Sequence, residues 1–157
     1  MTEQTKAVFS DPKLLREKLN EFLQTPEKVE IYAQAAEKFF VAGNGQKIKA
    51  KPTWSWWGLI GSWWFLFYRK DNVNGLIMLL IAGIGSRFIA NLGFIVPIVI
   101  GMYAKYYVIK RFEKALDNNE LESKSGVAKW AIYVGIIGQI VAIIVSAMIF
   151  SGNLKFN

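Results

Sequence analysis

Hydrophobic positions along this chain change their spacing abruptly near residue 53. Before it, Leu14, Leu15, Leu19, Phe22 and Leu23 recur at helical spacing on one face, and Lys13, Arg16, Glu17, Lys18 and Glu21 fill the other. Ser10-Asp11-Pro12 starts that helix: a capping side chain, then a proline where its missing N–H costs nothing. Thr25-Pro26-Glu27 repeats the start signal. The second helix carries Val29, Tyr32, Ala36, Phe39 and Phe40 on one side, and Gly43-Asn44-Gly45 ends it because Gly and Asn tolerate a left-handed cap. Residues 12–42 therefore predict two amphipathic helices joined by a tight turn, preceded by a frayed terminus over residues 1–10.

Two short helices make a poor core by themselves. Their apolar faces are expected to rest on each other and on the membrane part or the bilayer surface. The sharper alternative is a docking face for a partner protein. Residues 46–53 form a polar linker with Lys47, Lys49, Lys51 and Pro52, so residues 1–52 read as a cytoplasmic helical hairpin with a basic linker.

Residues 53–157 read as a membrane domain. Trp54, Trp56, Trp57, Trp63 and Trp64 fall close together, with Phe65, Phe67 and Tyr68 behind them. Tryptophan favours the headgroup boundary, where its ring is apolar-packed and its N–H stays wet. A helix over 54–68 is only ~22 Å long, against a hydrocarbon layer ~30 Å thick. It fits an interfacial or re-entrant helix better than a crossing. Three longer apolar stretches follow, 73–90, 92–109 and 127–150, each long enough to span, with the polar stretch 110–126 extending the second into water.

Basic residues choose between three and four crossings. If the Trp segment crosses from a cytoplasmic N-terminus, Arg69-Lys70 and the basic 110–129 connection both fall outside. If it stays on the cytoplasmic face, only Arg87 and Lys155 fall outside. The expected fold is thus all-α: a polytopic helical membrane protein with three transmembrane helices, four being the alternative. It makes the chain a multi-pass membrane protein with its N-terminus in the cytoplasm. The first fifty residues lack a continuous apolar core after a basic start, so no signal peptide is expected.

Composition narrows the chemistry. The 157 residues are 53% hydrophobic, with a net charge of +7, no cysteine and no histidine. That removes thiolate metal sites, disulfides, the commonest metal ligand and the usual neutral-pH base. Residues 1–52 hold nine Lys/Arg against seven Asp/Glu, so no phosphate-tracking stripe exists there and nucleic acid is not an expected partner. No cofactor or metal is expected.

The stretch from Tyr32 to Tyr107 carries a pattern of its own. It runs through Glu37-Lys38-Phe39-Phe40, Ser55-Trp56-Trp57-Gly58-Leu59-Ile60-Gly61, Trp63-Trp64-Phe65-Leu66-Phe67-Tyr68-Arg69-Lys70, Gly75-Leu76-Ile77 and Gly101-Met102-Tyr103-Ala104-Lys105-Tyr106-Tyr107. On these motifs the chain resembles the bacterial inner-membrane domain-of-unknown-function 2628 family. It departs in having Asp71-Asn72 after Arg-Lys, and in the appended stretch 127–150. That family supplies no activity and no catalytic residues.

Three sets of residues are candidates for function. Trp54, Trp56, Trp57, Trp63, Trp64, Tyr68, Arg69 and Lys70 would anchor the Trp segment at the interface, with Lys47, Lys49 and Lys51 drawing anionic lipid. Gly135, Gly138, Gln139, Ala142 and Ser146 form a small-residue strip for close helix packing, within the chain or against a second copy or another membrane protein; Gly75, Gly83, Gly85 and Ser86 are its candidate intramolecular counterpart. Arg87 and Lys105 are the candidate pathway cations, though both sit where long side chains can snorkel to the interface. Ser62, Ser86 and Ser146 have no evident base except Lys105. The expected function is a non-enzymatic accessory or assembly protein contacting other membrane subunits. A small oligomeric channel or transporter and a membrane enzyme are the alternatives.

Overall fold

The computed structural model describes residues 1–89 and 92–150, and inside those bounds the side chains of Ser86, Gln139, Ala142, Ile143, Val145, Ser146, Ala147, Ile149 and Phe150 are outside the description. Among the described residues every regular element is helical. The N-terminal part follows its start and stop signals closely. Asp11 caps α2 (Pro12–Leu23), its carboxylate accepting from the Lys13 and Leu14 N–H groups, with Pro12 in the first turn. A 3₁₀ turn at Pro26–Lys28 leads into α3 (Val29–Ala42). Asn44 takes the left-handed conformation that ends α3, and Gly45 N–H closes on the Phe40 carbonyl.

Residues 1–10 are not frayed. They form α1 (Glu3–Ser10), capped by Thr2, with Val8 and Phe9 buried. The sequence signal was weak because only two of its apolar residues reach the core.

α4 (Trp56–Tyr68) is capped by Ser55 and broken at Ser62, whose φ of 47° and ψ of −131° interrupt the helical run. It ends in a Schellman turn: Lys70 is left-handed, its N–H bonds the Phe67 carbonyl, and the Asp71 N–H bonds that of Leu66. α5 (Asn72–Gly83) stops well short of the continuous helix expected over 73–90, and a 3₁₀ turn at Gly85–Arg87 follows. Gly83 and Gly85 weaken helix propagation, so the apolar run outlasts the helix. α6 (Leu92–Asp117) runs unbroken from the apolar segment into the polar one, as the pattern implied. A short α7 (Leu121–Lys124) precedes α8 (Trp130–Phe150). One helix among the described residues, α6, is long and apolar enough to cross a membrane.

α6 joins the two halves. Its C-terminal half is the spine of the N-terminal bundle: the Phe112 ring meets Phe9 at 5.7 Å and Phe22 at 5.4 Å, and Tyr106 meets Phe39 edge-on at 5.7 Å. Arg16 ties α2 to α3, with Nε and Nη2 on the Glu30 carboxylate at 2.8 and 2.9 Å and Nη1 on Glu37 at 2.7 Å. The hairpin thus lies on the polar extension of α6 and shares one core with it, from Val8 to Leu121.

Candidate functional site

α4 sits among α5, α6 and α8. The extended residues before it lie along α6, where Thr53 N–H bonds the Met102 carbonyl at 2.8 Å and Ser55 N–H that of Gly101 at 2.9 Å. Gly58 then faces Ala104 and the Ile100 carbonyl, and Gly101 faces Leu59. Small residues on both helices allow this approach. At its other end, α4 reaches the level of Arg111, which donates to the Arg69 carbonyl. The Trp segment therefore starts beside the middle of α6's apolar part and returns to its polar end.

That polar end gathers the cations of two distant stretches. Arg111 also donates to the Lys124 carbonyl, Lys70 Nζ donates to the Ser125 carbonyl, and Ala128 N–H to that of Tyr68. The N-terminal helices join the same end: Gly126 N–H bonds the Phe22 carbonyl at 2.8 Å and Gln24 donates to the Ser125 hydroxyl at 3.0 Å.

The proposed anchors divide into two groups. Trp54, Trp56 and Trp57 are exposed, Trp57 to 69%, and the Trp54 and Trp56 rings meet edge-on. Trp63, Trp64 and Tyr68 are half-buried and pack inward. Arg69 is no surface anchor. It is 6% exposed, its guanidinium lying 5.2 Å from the Tyr32 ring centre and 5.4 Å from that of Tyr68, with Nε and Nη1 lacking hydrogen-bond partners. Burial pushes the Tyr32 hydroxyl up, opposed by the Arg69 charge. Of the two cations in that set, Lys70 is the exposed one.

The small-residue strip of α8 begins against the chain itself. A Cβ at Gly135 would lie 3.3 Å from Trp64 Cγ, and one at Gly138 3.7 Å from Trp64 Cζ2. Gly135 and Gly138 thus face the indole of Trp64, while Gly75 faces the Phe67 ring and Gly85 faces Leu92. Gln139, Ala142, Ser146 and Ser86 lie outside the described side chains. Arg87 is exposed in the 3₁₀ turn, whereas Lys105 is half-buried near the polar end of α6. Leu92 and Lys105 are separated by ~20 Å of helix, so the two cations do not meet. The Ser62 hydroxyl is buried with no hydrogen-bond partner, so no base engages it. No group of three or more metal-ligating side chains occurs among the described residues.

Sequence reasoning did not find a cleft of about 240 Å³ where the α4–α5 turn faces α6. Asp71 and Asn74 line one wall, and Tyr106, Tyr107, Lys110, Arg111 and Lys114 the other. The Asn74 amide donates to both Asp71 oxygens, at 3.0 and 2.8 Å. Lys110 holds the buried Glu113 carboxylate at 2.6 Å. Burial and the neighbouring Arg69 both lower the affinity of Arg111 for its proton, while Asp71 raises it. The only sequence signal was the grouping of Tyr106-Tyr107 with Lys110-Arg111.

Outside this end, large apolar side chains face outward on several elements. Trp57, Ile60, Val73, Leu76, Phe94 and Ile136 are all exposed, and Phe88 reaches 83%. A water-facing surface rarely carries so continuous an apolar belt. No family model matches the chain, and neither curated proteins nor solved structures match it.

Proposed function

We propose that this chain is a multi-pass bacterial inner-membrane protein without catalytic activity, an accessory or assembly subunit that contacts other membrane proteins. The observation that carries it is the contrast between the outward apolar belt and the single cationic, well-packed end. α6 and α8 cross the bilayer, and α5 with the 3₁₀ turn completes a third passage in locally thinned lipid. α4 enters and leaves on the cytoplasmic side. Phe9, Phe22 and Phe112 share one cluster, which supports placing the N-terminal helices and residues 110–126 on the same face. The four-crossing arrangement would separate them. The resemblance to the domain-of-unknown-function 2628 family belongs to the same proposal.

With the start of the α8 strip occupied by Trp64, the partner-facing surface is the exposed side of α8 at Ile132, Ile136 and Ile140. A photoreactive residue at Ile136, activated in native membranes, is expected to capture a companion membrane protein or a second copy. Purification in mild detergent that yields only a monomer, with no photoadduct, overturns the accessory role.

A further inference from the structure

The cleft between the α4–α5 turn and α6 has more positive charge than the chain itself balances. Lys110, Arg111 and Lys114 line it, and the buried Arg69 lies directly behind, its carbonyl held by Arg111. These four cations meet two carboxylates: Glu113 pairs with Lys110, and Asp71, held by the Asn74 amide, offsets part of the charge facing it, so a positive surplus remains. Two of the Arg69 nitrogens lack a hydrogen-bond partner, the guanidinium resting on the Tyr32 and Tyr68 rings beside the cleft. Uncompensated positive charge in a half-buried place is costly unless an anion completes it.

We propose that this cleft binds a phosphate group, carried by an anionic phospholipid or by a phosphorylated solute. Lys114 and Arg111 supply charge, and the Tyr107 hydroxyl supplies a neutral donor, the mixture that phosphate oxygens accept. Asp71 keeps its negative charge beside the Asn74 amide, but Lys110, Arg111 and Lys114 on the facing wall outnumber it. The size suits a phosphate with a small substituent rather than a large ligand: about 240 Å³ lies below the usual range for drug-sized sites. The neighbouring Val73 and Leu76 are exposed, so acyl chains of a bound lipid have an apolar surface to follow. This assignment rests on the membrane placement proposed above, since that placement sets the cleft at headgroup level.

The test uses the full chain purified in an uncharged detergent. Retained lipid is identified by mass spectrometry, and thermal midpoints are read with added phosphatidylglycerol, phosphatidylcholine or inorganic phosphate. The wild type is expected to retain anionic phospholipid over phosphatidylcholine. Lys114→Glu and Tyr107→Phe should each lower that preference, Lys114→Glu by about tenfold. Lys13→Glu makes the same change in net charge on an exposed lysine at the start of α2, outside the cleft, and should leave the preference intact. A midpoint raised by inorganic phosphate but not by phosphatidylglycerol, and lost in Lys114→Glu, assigns the site to a phosphorylated solute. Equal lipid retention and equal midpoints in the wild type and both cleft variants overturn the proposal. Release of the chain from native membranes by alkaline carbonate is a separate result, and overturns the membrane placement instead.

Discussion

Gly58 of α4 lies so close to Ala104 of α6 that a Cβ on Gly58 would stand 2.6 Å from the Ala104 Cβ and 3.1 Å from the Ile100 carbonyl oxygen. The far end of no flexible side chain is involved, so neither neighbour can swing away. Gly58→Val is therefore expected to destabilise the chain in detergent by about 1–3 kcal/mol, the usual cost of overpacking. A thermal midpoint unchanged from wild type would remove the α4–α6 crossing. Gly61→Ala is the gentler comparison: its new Cβ would meet only the Phe65 Cβ, at 3.1 Å.

Much of the fold was written in local signals. Asp11-Pro12, Thr25-Pro26 and Gly43-Asn44-Gly45 each mark an element boundary by backbone chemistry, and each does so in the structure. What periodicity could not give was contact between distant segments. Tyr68-Arg69-Lys70 reads as an interfacial anchor from its residue types, yet the cation–aromatic contact between Arg69 and Tyr32 depends on the whole bundle. The Trp64–Gly135 contact was equally hidden, because a strip of small residues says that something packs there without naming it. Residues 73–90 mislead for another reason: apolar composition predicts a home in lipid, while Gly83 and Gly85 decide where the helix stops.

Trp64 and Gly135 are coupled through one contact, so their substitutions should not add. Gly135→Val is expected to cost about 1–3 kcal/mol by driving a branched side chain into the indole. Trp64→Ala should cost about 2–3 kcal/mol, less than for a fully buried aromatic because Trp64 is only half-buried. In the double variant the valine occupies space the indole has vacated, and the loss should be smaller than the sum. Strict additivity in thermal denaturation would show that α4 and α8 do not meet there.

Ser62 stores strain. Its positive φ with ψ near −131° suits glycine and penalises any residue with a Cβ, and its buried hydroxyl has no partner. Ser62→Gly removes both penalties and should raise stability by about 1 kcal/mol. Ser62→Ala removes only the hydroxyl and should gain less. Thermal midpoints of the two variants, measured side by side, check the order; an alanine variant at least as stable as the glycine one contradicts the strained backbone.

Acid should loosen the N-terminal helix through Asp117. Burial opposes ionisation of this carboxyl, but the Thr2 N–H at 2.7 Å, the Thr5 and Thr2 hydroxyls and the terminal ammonium at 3.2 Å outweigh it and hold the group below its ordinary range. A carboxyl depressed by folding contributes stability above its unfolded value, near pH 4, and loses that contribution as the pH falls through the folded value. Hydrogen exchange of α1, referenced to α3, should therefore accelerate as the pH drops below about 4. Asp117→Asn should show that loosening already at neutral pH and little further change in acid. An α1 that exchanges identically in the variant and the wild type at neutral pH would free it from Asp117.

The absence of native cysteine makes sidedness directly measurable. Single-cysteine variants at Asn20, Asn118 and Arg87 place thiols at exposed positions on α2, just past α6, and in the 3₁₀ turn after α5. Because Phe22 and Phe112 pack together, the first two thiols belong on one side of a bilayer that α6 crosses, and the placement proposed above makes that side the cytoplasm. Arg87 lies at the opposite end of the α5–α6 hairpin. A membrane-impermeant maleimide added to intact cells should therefore label the variant at Arg87 and spare those at Asn20 and Asn118. After permeabilisation, all three should react. Labelling of Asn118 but not Asn20 in intact cells would require the N-terminal bundle and α6 to part company, which their shared aromatic core forbids, and would replace this arrangement with four crossings.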